Sequence, residues 1–251
     1  MVEFWIGIAG GILVGSTGAG LGLLVTPLLI LSGYSPPIAV GTTLAASVVS
    51  KLGGTALHQR LGNLPGRKVW ALLAGGAGGV AIAYCVLKAA VLPRRFDLEA
   101  STSLRRTLAV LLIVASAVLL TLERRRGKQV SKNREQHGLL LPIGLGVGTL
   151  QALTSAGSGS LLVPLLASTT DWSVGQMAAV SNLFGCMVGA MSVGMYFHLG
   201  NFSTPLFGKV LLGLLPGILA GGLLSRWIPR LWFVRGIAAV TTLVGLRLFF
   251  D

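Results

Sequence analysis

Residues 15–47 read GSTGAGLGLLVTPLLILSGYSPPIAVGTTLAAS, and residues 153–185 read LTSAGSGSLLVPLLASTTDWSVGQMAAVSNLFG. Setting Pro27 on Pro164 superposes Thr17 on Thr154, Gly20 on Gly157 and Gly22 on Gly159. Further along, the polar pairs Thr42-Thr43 and Ser181-Asn182 fall at nearly the same separation. Each half then closes with a His and a Gly-Asn: His58 with Gly62-Asn63, and His198 with Gly200-Asn201. The shared order marks an internal duplication, and duplicated apolar halves are typical of secondary transporters.

Composition identifies the solvent. Of 251 residues, 53% are hydrophobic and only 11% charged, with a mean hydropathy of +0.81. Soluble domains carry about 25% charged residues, so this chain cannot cover a water-facing surface and belongs in a lipid bilayer. Twenty Lys and Arg against seven Asp and Glu leave a formal charge of +13. They crowd into the polar gaps between apolar runs, where the positive-inside bias and anionic headgroups account for them. The bilayer is thus an expected partner and nucleic acid is not. The 36 glycines follow no collagen period; rows such as Gly75-x-x-x-Gly79 and Gly213-x-x-x-Gly217-x-x-x-Gly221 predict close helix crossings. Cys85 and Cys186 lie in apolar runs and read as small core residues, from which neither a disulfide framework nor a metal site can be built. No cofactor is expected.

At about 20 residues per span, hydrophobic segments fall near 4–31, 36–58, 69–92, 104–122, 139–168, 174–199, 205–225 and 231–250. The domain division is an N-terminal repeat over 1–122, a basic cytoplasmic linker over 123–138 and a C-terminal repeat over 139–251. Segments 4–31 and 139–168 are overlong and interrupted midway by glycine and hydroxyl residues. If each is one continuous span, the halves lie parallel. If each is a pair of half-helices entering and leaving on one side, three spans remain per half and the second half is inverted. The Lys and Arg distribution does not separate these topologies. The expected fold is an all-α polytopic membrane protein of two homologous four-segment halves arranged as inverted repeats, with a broken or re-entrant first segment in each.

The breaks carry the first candidate residues: Ser16, Thr17, Gly18 and Gly20 in one half, Thr154, Ser155, Gly157 and Ser158 in the other. Unwound backbone is tolerated at membrane depth only where protein or a polar cavity satisfies it. Its N–H groups and the positive ends of half-helices attract anions. Tight packing alone could also explain one such stretch; two at matching repeat positions point to a substrate site. No Lys-Ser/Thr follows Gly20 and no strand precedes it, so the first break is not a nucleotide-binding loop.

Lys51 stands alone as a cation well inside a segment, at a cost of about 2.5–3.5 kcal/mol on insertion scales. It must either face a site or snorkel to the nearby interface. Glu3, Asp97, Glu99, Glu123, Glu135, Asp171 and Asp251 all lie at segment ends or in loops, which disfavours a cationic substrate and favours a small anion. Asn182, a buried amide in need of a partner, joins the substrate-binding candidates, with Ser181, Thr42, Thr43, Ser47 and Ser50 as further donors. His58 and His198 are the residues available for proton coupling, although their places beside Gly-Asn at segment ends also suit a structural role. No nucleophile–base pair with a buried acid is present, so no enzyme is expected and no catalytic residue is assigned.

The glycine-rich break followed by Pro-Leu-Leu in each half, the Ala-Val-Gly-Thr-Thr-Leu at 39–44 and the paired His…Gly-Asn resemble the TauE/SafE family of sulfite and organosulfonate exporters, over about 5–245. The resemblance implies a multi-pass carrier of the bacterial inner membrane, moving sulfite, thiosulfate or sulfonates such as sulfoacetate outward; rocking of the two halves, which the glycines permit, is the expected means of alternating access. A passive anion channel and a membrane assembly subunit without transport are the alternatives, and the sequence leaves a homodimer open.

Overall fold

The computed structural model describes residues 1–17, 21–91 and 137–224, with isolated helical positions Val110, Ile113, Ala117, Thr121, Ala239, Thr242, Leu243, Leu246 and Arg247. Apart from those positions, the expected segments 104–122 and 231–250 and the linker 123–138 lie outside the described residues. No strand occurs among the described residues; the fold is all-helical.

Both overlong segments are broken. Helix α1 (Val2–Thr17) stops at the first glycine-rich stretch, and after a single 3-10 turn at Leu21–Leu23 the chain resumes as the short α2 (Val25–Leu31). A Cβ added at Gly10 would overlap the Val25 side chain and lie 3.0 Å from Leu21 Cδ2. A continuous helix would hold Gly10 and Val25 about 22 Å apart. The chain therefore turns back on itself and lays the start of α2 against α1.

Helices α3 (Pro36–Arg60) and α4 (Val69–Val91) follow in the first half. The second half repeats the order as α5 (Leu140–Thr154), α6 (Leu162–Thr169), α7 (Val174–His198) and α8 (Thr204–Leu224). Among the described residues three stretches, Gly66–Ala89, Val174–His198 and Thr204–Leu224, are long and apolar enough to cross a membrane.

The equivalent helices α3 and α7 each run 25 residues, about 37 Å. They start differently. Helix α3 opens on Pro36 and Pro37, whose fixed φ suits a first turn and whose missing N–H costs nothing there. Helix α7 opens on a capping box in which Ser173 accepts from the Gln176 N–H and the Gln176 side chain accepts from the Ser173 N–H. They end alike. Gly62 (φ 67°) and Gly200 (φ 72°) are left-handed; the Asn63 N–H donates to His58 C=O at 3.1 Å and the Asn201 N–H to Tyr196 C=O at 2.8 Å. The His…Gly-Asn signature is thus, at backbone level, a glycine helix stop that satisfies the last carbonyls.

Packing crosses between the halves. Glycines 7, 11 and 15 of α1 meet residues 210, 214 and 218 of α8, so these helices run parallel. In the same register α4 meets α5 through Gly75 and Gly79 against Leu141 and Leu145. At each of these seams a Cβ would collide with carbonyl oxygen of the opposing backbone, which is how small residues bring helices together where lipid supplies no hydrophobic drive. The far face of α8 exposes Leu212, Leu215, Leu219 and Leu223, an acyl-chain surface. Helix α3 runs antiparallel to α7: Gly41 meets Tyr196, Val48 meets Gly189, and Gly54 meets Asn182.

Two cores result. One joins α1, α2, α8 and a face of α3 around Leu21, Val25, Leu29, Val210 and Leu214. The other joins α4 to α7 and the opposite face of α3 around Leu44, Leu72, Leu162, Phe184 and Tyr196. At the rim, the Tyr34 hydroxyl donates to Glu3 at 2.7 Å, which holds the phenol above its usual range and ties the loop before α3 to the start of α1. Cys186 is partly buried, but Cys85 is exposed on the outer face of α4. The expectation that it is a core residue is corrected, because in lipid an apolar run does not tell inward from outward.

Candidate functional site

The second break is built as a satisfied discontinuity. Helix α5 is terminated by Ser155, which sits in the left-handed region at φ 61°, at a cost of about 1–2 kcal/mol for a side chain with a Cβ. Its repeat-equivalent in the first half is Gly18, a residue with no such cost. The backbone groups freed by the break find partners, as burial requires. The Ser155 N–H donates to Gln151 C=O at 2.8 Å. The Ala156 N–H donates to Thr154 Oγ1 at 3.2 Å. The Tyr196 hydroxyl, buried in α7, donates to Ala152 C=O at 3.0 Å. Gly157 C=O accepts from the Leu161 and Leu162 N–H groups and restarts the chain toward α6.

The two breaks meet. Gly22 of the first lies so close to Ser155 that a Cβ there would overlap the Ser155 carbonyl, and Thr26 Oγ1 stands 2.6 Å from Ser155 Oγ. From the other side, Lys51 of α3 reaches in. It is 7% exposed, and its Nζ donates to Ser158 Oγ. Ser181 of α7 donates to the Ser158 carbonyl. Gly185, one turn further along α7, makes room: a Cβ on it would overlap Lys51 Nζ and stand 2.8 Å from Ser158 Oγ. Lys51 therefore does not snorkel. Among the described residues no carboxylate lies within 4 Å of it.

Four buried side-chain atoms have no hydrogen-bond partner among the described residues: Thr42 Oγ1, Thr43 Oγ1, Gln151 Oε1 and Ser160 Oγ. An unpartnered buried polar group costs about 1–3 kcal/mol. Gln151 and Ser160 flank the second break that Lys51 enters, whereas Thr42 and Thr43 lie about 12–14 Å along α3 from Lys51.

Of the residues predicted from sequence, Lys51 and Ser158 are brought together, while Ser155, at the same break as Gly157, meets Thr26 and Gly22 of the first break instead. Thr154 is adjacent, but its hydroxyl donates to Leu150 C=O at 2.7 Å and caps the break. Ser16 donates to Leu13 C=O of its own helix, and Thr17 ends α1. Gly18 and Gly20 lie outside the described residues. Asn182 is half-buried with its Nδ2 against Gly54 of α3. His58 lies about 10 Å along α3 from Lys51, and His198 about 20 Å along α7 from Gly185. His58 Nδ1 pairs with Asn63 Nδ2 at 3.1 Å, and the exposed His198 packs near Tyr84. Sequence reasoning missed Thr26, Gln151 and Gly185. Gln151 carried a signal, being an amide inside an otherwise apolar segment, one turn before the break.

Helices crossing a bilayer, two broken segments meeting inside the fold, and a buried cation set among hydroxyls define a polytopic membrane transporter. The family model described as sulfite exporter TauE/SafE matches residues 4–248, and the chain belongs to that family. A relative from Bacillus subtilis (strain 168), described as the probable membrane transporter protein YjnA, is 32% identical over 253 residues, covering 97% of this chain and 97% of its own. No solved structure matches.

Proposed function

We propose that this transporter moves small sulfur-containing anions (sulfite, thiosulfate or organosulfonates such as sulfoacetate) outward across the bacterial inner membrane. The observation that carries the reading is the Lys51 ammonium, held in the second break by Ser158 with no carboxylate beside it among the described residues. A cation buried in this way attracts an anion, and hydroxyls around it replace hydration water without trapping the ligand as a full arginine clamp would. The sulfur chemistry and the outward direction rest on the family description.

Inverted halves are part of the proposal, supported by the antiparallel crossing of the equivalent helices α3 and α7. A two-fold axis in the membrane plane reverses equivalent helices, whereas an axis along the membrane normal keeps them parallel. The moving bodies, however, are not the sequence halves. The glycine seams fasten α1 to α8, and α5 to α4. Alternating access on this framework rocks those two exchanged bodies about the α3–α7 pair.

Thermal unfolding of the detergent-purified protein with sulfite, thiosulfate, sulfate, sulfoacetate, phosphate and chloride tests the substrate. A ligand that binds the native state raises stability by RT ln(1 + [L]/Kd). A selective rise with a sulfur anion, followed by saturable counterflow in proteoliposomes, is the expected result. Flux without saturation or counterflow identifies a channel instead, and a flat response together with no flux refutes transport of these anions.

A further inference from the structure

The inner region contains one group whose chemistry an anion alone does not satisfy. Gln151, on the last turn of α5, is 1% exposed. Its Nε2 donates to the Gly185 carbonyl at 3.3 Å, and its Oε1 has no partner among the described residues. The amide orientation is fixed by that carbonyl, since an acceptor at Gly185 requires the NH2 group to face it. The free atom is therefore an acceptor. Gly185 is also the residue whose open face admits Lys51 Nζ and Ser158 Oγ. Gly185 of α7 thus stands against Lys51 and Ser158 on one side and, through its carbonyl, holds the Gln151 amide whose oxygen has no partner among the described residues.

We infer that the site recognises a monoanion that carries one hydrogen-bond donor, with the anionic oxygens on Lys51 and Ser158 and an O–H or N–H of the same ligand on Gln151 Oε1. Two ligand types share this chemistry: a singly protonated oxyanion, such as hydrogen sulfite, and a sulfonate bearing a hydroxyl or amino group. Gln151 is then the specificity-determining residue that separates them from fully deprotonated oxyanions and plain alkyl sulfonates. The repeat supports a one-sided site, since Gln151 aligns with Val14 and Lys51 with the neighbourhood of Ala190, both apolar. The inference rests on the anion-transport reading above and names the substrate class within it.

Two nearly isosteric probes isolate the donor: 2-hydroxyethanesulfonate and propane-1-sulfonate differ in a hydroxyl against a methyl and are both permanent monoanions. Their affinities are read by ligand-dependent thermal stabilisation of the wild-type protein and of Gln151→Met. The wild type is expected to bind the hydroxylated probe about tenfold more tightly, because the methyl leaves the buried amide oxygen unsatisfied. In Gln151→Met the ratio is expected to fall to about one, with propane-1-sulfonate bound at least as well as before. The protonated-oxyanion arm is sulfite itself: its affinity is expected to rise as pH falls through its second ionisation, while that of 2-hydroxyethanesulfonate stays level. Equal binding of the two sulfonates by the wild type overturns the role of Gln151 and leaves the anion site standing, a result that needs no folded variant. An unchanged ratio in folded Gln151→Met does the same. Failure of sulfite and both sulfonates to stabilise the protein overturns the anion reading and this inference with it.

Discussion

Replacing Lys51 by Met should move stability and ligand response in opposite directions. Lys51 is buried, donates to Ser158, and has no carboxylate within 4 Å among the described residues. A desolvated charge held by a single hydroxyl is underpaired, and desolvation costs several kcal/mol per ion in real proteins. Met fills a similar volume without the charge, so Lys51→Met is expected to raise the ligand-free stability by about 1–3 kcal/mol. The bound anion, by contrast, loses a charge-assisted hydrogen bond of about 1.5–3 kcal/mol, weakening Kd about tenfold to a hundredfold. At a ligand concentration of 100 times the wild-type Kd, the native protein gains about 2.7 kcal/mol. The variant then gains only about 1.4 kcal/mol for a tenfold loss and about 0.4 kcal/mol for a hundredfold loss. Thermal unfolding in detergent, with and without the stabilising anion, reads both numbers from one preparation. A variant less stable without ligand, yet stabilised as much as wild type with it, would refute the argument: Lys51 would be a structural strut.

The remaining expectations concern the frame around that site. Gly144→Ala should destabilise by about 1–3 kcal/mol, because its methyl collides with the Leu72 carbonyl oxygen. Gly146→Ala, two residues along the same helix and facing open space, should be neutral or slightly stabilising; equal effects on Tm would count against the seam. Ser155→Gly should relieve the left-handed strain and keep stability within about 1 kcal/mol of wild type while lowering flux, since the hydroxyl beside Thr26 is lost. Ser155→Ala should lower both, and full flux in the glycine variant would exclude the hydroxyl from the transport path. Tyr196→Phe should cost about 1–3 kcal/mol by orphaning the Ala152 carbonyl, and an unchanged Tm would show that another group caps the break.

The breaks were legible because their chemistry is out of place: glycine and hydroxyl side chains interrupt apolar runs at Ser16–Gly20 and Thr154–Ser160, and the duplication shows both. The turn-back of α2 on α1 was one of two topologies the sequence allowed. Only the packing of Gly10 on Val25 and Leu21 separates it from a continuous span. Half of each glycine seam was visible as well. The mating rows, Gly7-Gly11-Gly15 and Gly144-Gly148, were present in the text of the sequence, but lipid-facing and protein-facing glycines look alike until partners are known. For Lys51 the choice between interface and interior depends on whether Gly185 of a distant helix leaves room, a tertiary fact with no local trace. Gln151 and Thr26 are single polar residues whose importance lies in what they lack or touch across the halves.

The glycine seams also bear on how the chain is made. Helix α1 leaves the ribosome first, and its partner α8 close to last. In the interval the backbone face at Gly7, Gly11 and Gly15 lacks its mate and meets lipid or an insertase, while α4 and α5 wait only for the residues between Val91 and Leu140 to pass. The second body can therefore close during synthesis, and the first closes only near the end of translation, across the longest sequence separation among the described helices, where pairing is slowest. A chain truncated before residue 204 would leave α1 without its mate, and mutations along Gly213, Gly217 and Gly221 should reveal themselves as failures of yield before they appear as failures of transport.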